Sequence, residues 1–283
     1  MSLWTAWKEV PAAERAERER ALEFLAEDGF VVTSREVSRD GPWRLEIFGE
    51  GNRSTVAAAL DDGWQWEELP DKDWVAENQR SFQPFAVGLF WVHPSHDPGR
   101  PSPELLPLRI DAGMAFGTGT HATTRGCLEM LARLDPAETE RAVDVGCGSG
   151  ILAIAMAKLW GRPVVGGDND PQAVEVAREN AELNGVGSLC RFEHAIGLQH
   201  DALQALAPYD LVVANILAGP LMELSQAFAR AIRPGGRALL SGLLLEQADD
   251  IVALYRRRGF VPERHVDLET GGAVWRTLLL RRS

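Results

Sequence analysis

The 283-residue chain is poor in cysteine, in long apolar runs and in positive charge. Its three cysteines are odd in number and widely scattered, which argues against a disulfide framework and favours a reducing compartment, the cytoplasm. No run of 18 or more apolar residues offers a membrane span. The N-terminal segment lacks the basic-then-apolar layout of a secretory signal, so we expect it to belong to the mature fold.

Acidic residues outnumber basic ones by 41 to 29, which gives a formal net charge of -12. This balance argues against a surface that binds nucleic acid mainly through phosphate contacts, so we expect no direct nucleic-acid binding. It suits a basic protein partner, such as a ribosomal protein. Ordinary acidic solubility explains the same excess equally well.

Length and a hydrophobic content of 45% predict two domains. Residues 1–70 follow the order strand, helix, strand, strand, helix, strand, which is typical of a small ferredoxin-like α+β domain. This domain contains no cluster of catalytic side chains and is predicted to recognise the substrate. Residues 71–107 are polar and then proline-rich, and they are predicted to form a linker.

Residues 108–283 alternate apolar strand patterns with helical ones, which predicts a doubly wound, Rossmann-like α/β sheet. The last two predicted strands have no helix between them, so one terminal strand must be antiparallel. Sheets of this kind bind ligands at the carboxyl ends of their strands, where the strand order reverses.

The segment AVDVGCGSGILAIAMA contains three alternating glycines between a strand and a helix. Gly146 and Gly148 let the backbone approach a ligand and present helix N-terminal N–H groups to it. The third glycine comes one residue earlier than in the dinucleotide fingerprint. Asp144 would repel a pyrophosphate but would attract an amine, so this loop favours S-adenosylmethionine over a nicotinamide dinucleotide.

One strand further on, Asp168 ends the segment VVGGD about 20 residues after the glycine loop. An acid at that place accepts hydrogen bonds from ribose hydroxyls. Asp170 and Pro171 form a good N-cap and first-turn pair, so a structural role is predicted for Asp170. These residues and the glycine loop predict a nucleoside-binding crevice.

The segment AFGTGTHATT precedes the first strand of the predicted sheet. It has no Gly-Lys-Ser/Thr ending, so it is not a phosphate-binding P-loop. One interpretation is a turn in which Thr123 or Thr124 caps the next helix. The other is a flap whose hydroxyls close over a cofactor, with Phe116 covering an aromatic or charged group.

Four segments together resemble the ribosomal protein L11 methyltransferases (the PrmA family): AFGTGTHATT, DVGCGSGILAIAMAKLWG, GGDNDPQAVEVARENAELNGV and VVANILAGPL. The likeness follows nearly the whole chain in order and is fainter over residues 1–70. It implies a cytoplasmic enzyme that uses S-adenosylmethionine to methylate the N-terminal α-amine and lysine side chains of ribosomal protein L11. The small N-terminal domain would capture that protein. By position, the family's cofactor contacts fall on Thr124, Gly146, Asp168 and Asn215.

Asn215 is the single amide at the tip of the apolar strand DLVVAN. An amide carbonyl can accept an amine N–H without stabilising the ammonium form as a carboxylate does. Asn215 is therefore the predicted catalytic residue, orienting the amine toward the methyl group. The alternative, that it only satisfies backbone groups at the strand end, stays open.

Three other functions are compatible with parts of the sequence. A nicotinamide-dependent oxidoreductase could use the same sheet, a methyltransferase could act on a small-molecule amine or on RNA, and an adaptor could bind the cofactor without catalysis. The glycine spacing, the extra N-terminal domain and Asn215 weigh against them in that order. No metal site is predicted, because His93 and His96 lack a cysteine or carboxylate cluster at ligand spacing.

Overall fold

The computed structural model describes residues 3–15, 18, 21–22, 25, 30–37, 41–50, 53–69, 83–111 and 121–283. The chain divides into two units, Met1–Trp74 and Val75–Ser283. Phe116 and most of the predicted flap lie outside the described residues, as does the first part of the predicted linker. None of the helices in the described part of the chain is both long and apolar enough to cross a membrane.

The first unit contains an antiparallel four-stranded sheet in the order β2-β3-β1-β4. This is the strand order of the predicted ferredoxin-like arrangement. Trp4, Ala6, Leu45 and Ile47 are buried on one face, as the two-residue period of a strand requires. Its described elements are β1 (Leu3–Val10), β2 (Val31–Glu36), β3 (Trp43–Glu50), α1 (Ser54–Ala59) and β4 (Gln65–Leu69).

The second unit opens with a three-stranded sheet, β5 (Phe85–Val87), β6 (Phe90–His93) and β7 (Leu106–Arg109). Its first two strands lie within the segment predicted as a linker, and the third begins there. Side chains of β6 and β7 are fully buried in the same core cluster as helices of the second unit. The described part of this segment is therefore integral to the second unit.

A seven-stranded sheet in the order β10-β9-β8-β11-β12-β14-β13 forms the centre of the second unit. The first five strands are parallel, and β14 is antiparallel to both of its neighbours, which confirms the predicted antiparallel terminal strand. The strands are β8 (Ala142–Val145), β9 (Val164–Asp168), β10 (Cys190–His194), β11 (Tyr209–Asn215), β12 (Ile232–Leu244), β13 (Phe260–Thr270) and β14 (Ala273–Arg282).

Helices cover both faces of this sheet, so its central strands consist mainly of apolar residues. The strand order reverses between β8 and β11, which brings the loop after β8 and the tips of β9 and β11 to one edge. The helices are α2 (Ala122–Leu131), α3 (Ile151–Trp160), α4 (Pro171–Leu183), α5 (Asp201–Gln204), α6 (Ala218–Ala231) and α7 (Ala248–Arg257), with 3-10 turns at Pro136–Glu138 and Leu245–Gln247.

Candidate active site

A cavity of about 610 Å³ lies at the carboxyl ends of β8, β9, β10 and β11. Its position is the one at which doubly wound sheets bind ligands, and its size is ordinary for a small-molecule site. Five of the residues predicted from the sequence line it together: Thr124, Gly146, Gly148, Asp168 and Asn215. Asp144 and Thr123 do not line the cavity.

The glycine loop is anchored to the neighbouring strand β9. The backbone N–H groups of Gly146 and Cys147 both donate to Gly167 O, at 2.8 and 3.1 Å. Gly146 has φ 71°, and a Cβ there would lie 2.3 Å from Cγ2 of Ile216. Only glycine fits this position, because the loop packs directly beneath the segment that follows Asn215.

Asp168 is held by two backbone donors. Gly148 N–H donates to Oδ2 at 2.8 Å, and Asp170 N–H donates to Oδ1 at 3.0 Å. Each carboxylate oxygen keeps acceptor capacity for a further hydrogen bond, such as one from a ribose hydroxyl. Asp170 accepts from Gln172 N at 2.8 Å with Pro171 in the first turn, which confirms the predicted cap of α4.

Asp144 is 1% exposed, and its carboxylate accepts a hydrogen bond from the first turn of helix α3. Its Oδ2 accepts from Ala153 N at 3.1 Å, and its Oδ1 has no hydrogen-bond partner among the described residues. Burial raises the pKa of Asp144 to about 7; the Ala153 hydrogen bond opposes that rise and the charge of Asp168 adds to it. Contact between Asp144 and a ligand amine stays a prediction.

Asn215 lies at the tip of β11, where its Nδ2 donates to Thr124 Oγ1 at 3.2 Å. Thr124 is fully buried in the first turn of α2. Among the described residues, none donates to Asn215 Oδ1. The amide is therefore turned so that its carbonyl oxygen remains available to accept an N–H from a ligand.

The cap of helix α2 is His121, so the interpretation that Thr123 or Thr124 caps this helix is wrong. His121 Nδ1 accepts from Thr123 N at 3.4 Å and lies 2.9 Å from Thr123 Oγ1. The ring packs edge-on against Trp275, with centroids 4.8 Å apart, and burial lowers the pKa of His121. Thr123 thus faces its cap rather than the cavity.

The described lining of the cavity contains two carboxylates, Asp168 and Glu223, and no lysine, arginine or histidine. A pyrophosphate would meet like charge here without a compensating cation, whereas a cationic ligand is favoured. S-adenosylmethionine fits, because it carries a sulfonium, an α-amine and a ribose diol but no phosphate. Among the described residues, no group of three or more histidine, cysteine, aspartate or glutamate side chains could hold a metal ion.

Two exposed apolar residues lie at the cavity mouth, and sequence reasoning missed one of them, Ile196. Ile196 and Leu217 line the cavity yet are 66% and 69% exposed. Each follows the end of a parallel strand by two residues, β10 for Ile196 and β11 for Leu217. Their position after a strand tip was the available signal, because such positions form the ligand-binding edge.

Known proteins are similar to this chain in both sequence and fold. The family described as ribosomal protein L11 methyltransferase (PrmA) matches residues 51–281. A ribosomal protein L11 methyltransferase of Brucella abortus (strain S19) is 39% identical over 271 residues, covering 91% of this chain and 94% of the relative. Another, of Rhodopseudomonas palustris (strain BisB5), is 40% identical over 284 residues, covering 95% of each.

A solved structure agrees with this assignment. The crystal structure of ribosomal protein L11 methylase from Lactobacillus delbrueckii subsp. bulgaricus matches with a TM-score of 0.62 and 27% identity. The match covers 71% of this chain and 100% of that one. The chain belongs to the ribosomal protein L11 methyltransferase (PrmA) family.

Proposed function

We propose that this protein transfers methyl groups from S-adenosylmethionine to amines of ribosomal protein L11, namely its lysine side chains and N-terminal α-amine. One observation carries the proposal. Asp168, whose two oxygens suit a ribose, and Asn215, whose amide suits an amine, line one cavity, and the described part of its lining contains no basic side chain. Family membership supplies the protein substrate.

S-adenosylmethionine, when bound, supplies a methyl group on a positively charged sulfur. The residues expected to hold it are Asp168 at the ribose and the backbone of Gly146 and Gly148 beside it. Thr124 lies next to Asn215 and completes the predicted cofactor contacts. These groups bind and orient, and none of them needs to change its protonation state.

The chemistry requires a neutral amine. Selecting the neutral form of a lysine at pH 7 costs on the order of 4–5 kcal/mol, and of an α-amine about 1 kcal/mol. Asn215 Oδ1 can orient such an amine through an N–H hydrogen bond without favouring the ammonium, as a carboxylate would. Water at the cavity mouth can accept the proton that the substrate ammonium loses before transfer. The nitrogen then gains the methyl group and the positive charge that leaves the sulfur, and it must lose another proton to water before it can be methylated again.

The rim of the site suits repeated methylation. Many amino-methyltransferases follow the corresponding asparagine with Pro-Pro-Tyr, whereas this chain has Ile216, Leu217 and Ala218. Without the prolines and the tyrosine ring, the rim leaves room for a nitrogen that already carries methyl groups. The apolar side chains of Ile216 and Leu217 also suit those methyl groups better than water does.

We assign recognition of the protein substrate to the predicted domain of residues 1–70, which lies within the first unit, and chemistry to residues 108–283. Residues 1–74 hold 17 acidic against nine basic residues, a net charge of -8 out of -12 for the whole chain. This concentration of negative charge supports binding of a basic protein by that unit. The free cysteines fit a reaction in the reducing cytoplasm.

Intact mass spectrometry of ribosomal protein L11 after incubation with the enzyme and S-adenosylmethionine tests the proposal. Steps of one methyl each are expected, and an unmodified substrate contradicts it. Asn215→Ala should keep most of the cofactor affinity by calorimetry, because Asp168 and the glycine loop remain, but should lose most turnover. Gln226→Ala removes an exposed amide from the helix that follows Asn215 and is the matched control.

A further inference from the structure

Strand β12 is irregular beside the candidate active site. Its pairing with β14 joins Leu240 to Leu278 and then Leu243 to Arg276. Ser241 and Gly242 therefore face the single residue Thr277. Two residues against one is a β-bulge, a feature that often re-aims side chains next to active sites.

This bulge lies directly beside Asn215. In the parallel pairing of β11 with β12, Asn215 is in register with Ser241. Gly242 has φ 87°, and a Cβ there would lie 2.2 Å from the carbonyl oxygen of Ile216. The backbone that follows Asn215 thus rests on the bulge, at a distance that only glycine permits.

Two hydroxyl groups fix the bulge to its surroundings. Ser241 Oγ donates to Thr123 O at 3.1 Å and lies 2.8 Å from Thr277 Oγ1. Because serine has one hydroxyl hydrogen and Ser241 gives it to Thr123, Thr277 must donate to Ser241. Ser241 and Thr277 are 0% and 2% exposed, so water does not compete for these bonds.

Ser241 is also connected to Asn215 through the start of helix α2. Thr123, whose carbonyl accepts from Ser241, precedes Thr124 in the first turn of α2. Thr124 accepts the hydrogen bond from Asn215 Nδ2. Asn215 is thereby fixed both through its strand neighbour Ser241 and through the start of α2.

We propose that Ser241 and Thr277 are positioning residues for methyl transfer. Their hydroxyl chain, Thr277 to Ser241 to the Thr123 carbonyl, holds the bulge and the start of α2 in one arrangement. In that arrangement Asn215 Oδ1 faces the cavity at the position where the amine must sit. This inference rests on the proposed function, because it concerns the orientation in which the Asn215 amide would hold the substrate amine.

Removal of one hydroxyl tests the inference. Thr277→Val keeps the shape of the side chain but removes the donor, and we expect kcat to fall by about 10- to 100-fold because a displaced reacting group is costly. The cofactor Kd, measured by calorimetry, should stay within about threefold, since Asp168 and the glycine loop are untouched. Thr277→Ser keeps the hydroxyl and should restore most of kcat.

A matched control is Thr139→Val. Thr139 is also buried, at 1% exposure, and its hydroxyl bonds to Asp135 O at 3.2 Å. It precedes β8 and so lies toward the opposite edge of the sheet from the cavity. Its loss is expected to lower the melting temperature without lowering kcat. An equal fall of kcat in Thr139→Val and Thr277→Val overturns the inference.

A double variant shows whether Thr277 acts through Asn215. If it does, Asn215→Ala with Thr277→Val loses no more kcat than Asn215→Ala alone. Multiplied losses, or an unchanged kcat in Thr277→Val, contradict the positioning role. Should Thr277→Val melt below the assay temperature, Ser241→Ala provides the same comparison. Unchanged turnover in Asn215→Ala instead refutes the proposed role of that residue, so the two failures are distinguishable.

Discussion

An asparagine presents either a carbonyl or an amino group to its surroundings, depending on how its amide plane is turned. At Asn215 the Nδ2 donates to Thr124 Oγ1 at 3.2 Å, which leaves Oδ1 for the cavity. Thr124→Val removes this acceptor, so the amide loses its preferred orientation. We expect kcat to fall by about tenfold or more, measured on ribosomal protein L11 at saturating cofactor.

A conservative variant of Thr124 distinguishes its effect on the orientation of the Asn215 amide from the packing of its methyl group. Thr124→Ser keeps the hydroxyl in the same turn of α2 and should retain most of the turnover. If the serine and valine variants lose turnover equally, the methyl group of Thr124 matters and its hydrogen bond to Asn215 does not.

The carboxyl of Asp144 makes the stability of the fold depend on pH. Its pKa is raised to about 7, chiefly by burial, against about 3.9 in an unfolded chain. The native state therefore holds this proton more tightly, so stability is lost as the pH rises from about 4 to about 7. Asp144→Asn has no such titrating group, so its free energy of unfolding should not show this loss. Relative to the wild type, the free energy of unfolding of the variant should rise by up to about 4 kcal/mol between about pH 4 and about pH 7.

Urea unfolding of the two proteins at about pH 4.5 and about pH 8 measures this difference. Because both proteins share every other titrating group, their difference isolates residue 144. A difference in the free energy of unfolding that is the same at both pH values contradicts the raised pKa.

Single residues differed in how far their roles could be predicted from the sequence. The structural role of Asp170 was predictable, because an aspartate followed by proline is a strong start signal for a helix. The cap of α2 was not, since His121 lies outside the usual set of capping residues and threonines follow it. The structural role of Asp144 at α3 was also missed, because its partner Ala153 is nine residues away.

At the scale of elements, helix α4 links two segments of the second unit. Asn180, 2% exposed, donates from Nδ2 to Ser149 O at 2.9 Å and accepts at Oδ1 from Asp111 N at 3.3 Å. Asn180→Ala leaves Ser149 O and Asp111 N–H without their side-chain partner. This should lower the free energy of unfolding by about 2 kcal/mol or more. Because Ser149 belongs to the glycine loop, cofactor affinity should fall by roughly tenfold.

Calorimetry with S-adenosylmethionine and thermal melting measure the two effects of Asn180→Ala. Glu179→Ala changes the adjacent, exposed position of the same helix and should alter neither. Unchanged cofactor affinity in Asn180→Ala contradicts a role for α4 in holding the glycine loop.

The alternation of strands and helices was predictable because both faces of the central sheet are covered, which makes its strands short apolar runs between amphipathic helices. The sheet formed by β5, β6 and β7 was only partly predictable. Its strands have three or four residues, and prolines separate β6 from β7. The bulge at Ser241 and Gly242 was not predictable, because it depends on pairing with residues far along the chain.

At the scale of the whole molecule, each unit has its own hydrophobic core. One cluster of buried residues lies in the first unit, and two others lie on the two faces of the central sheet in the second. The predicted order of a substrate-recognition domain, a linker and a catalytic domain stays a prediction. The boundary itself carried little sequence signal, because the polar segment after residue 70 has no strong periodicity.

Negative charge is spread unevenly between the units, and this predicts a salt effect on substrate capture. The first unit holds -8 of the net charge of -12. If it captures a basic protein, kcat/KM for ribosomal protein L11 should fall several-fold between about 50 mM and about 500 mM salt, because screening shortens the reach of these charges. The value of kcat at saturating substrate should change little, since the candidate active site lies in the second unit.

Charge variants locate the effect. Glu67→Gln with Glu68→Gln neutralises two exposed acids on β4, and it should raise KM for the protein substrate by about two- to tenfold and weaken its salt dependence. Glu179→Gln with Glu182→Gln removes the same charge from the exposed side of α4 and should leave KM unchanged. Equal effects of the two pairs mean that only the total charge matters, which contradicts capture by the first unit.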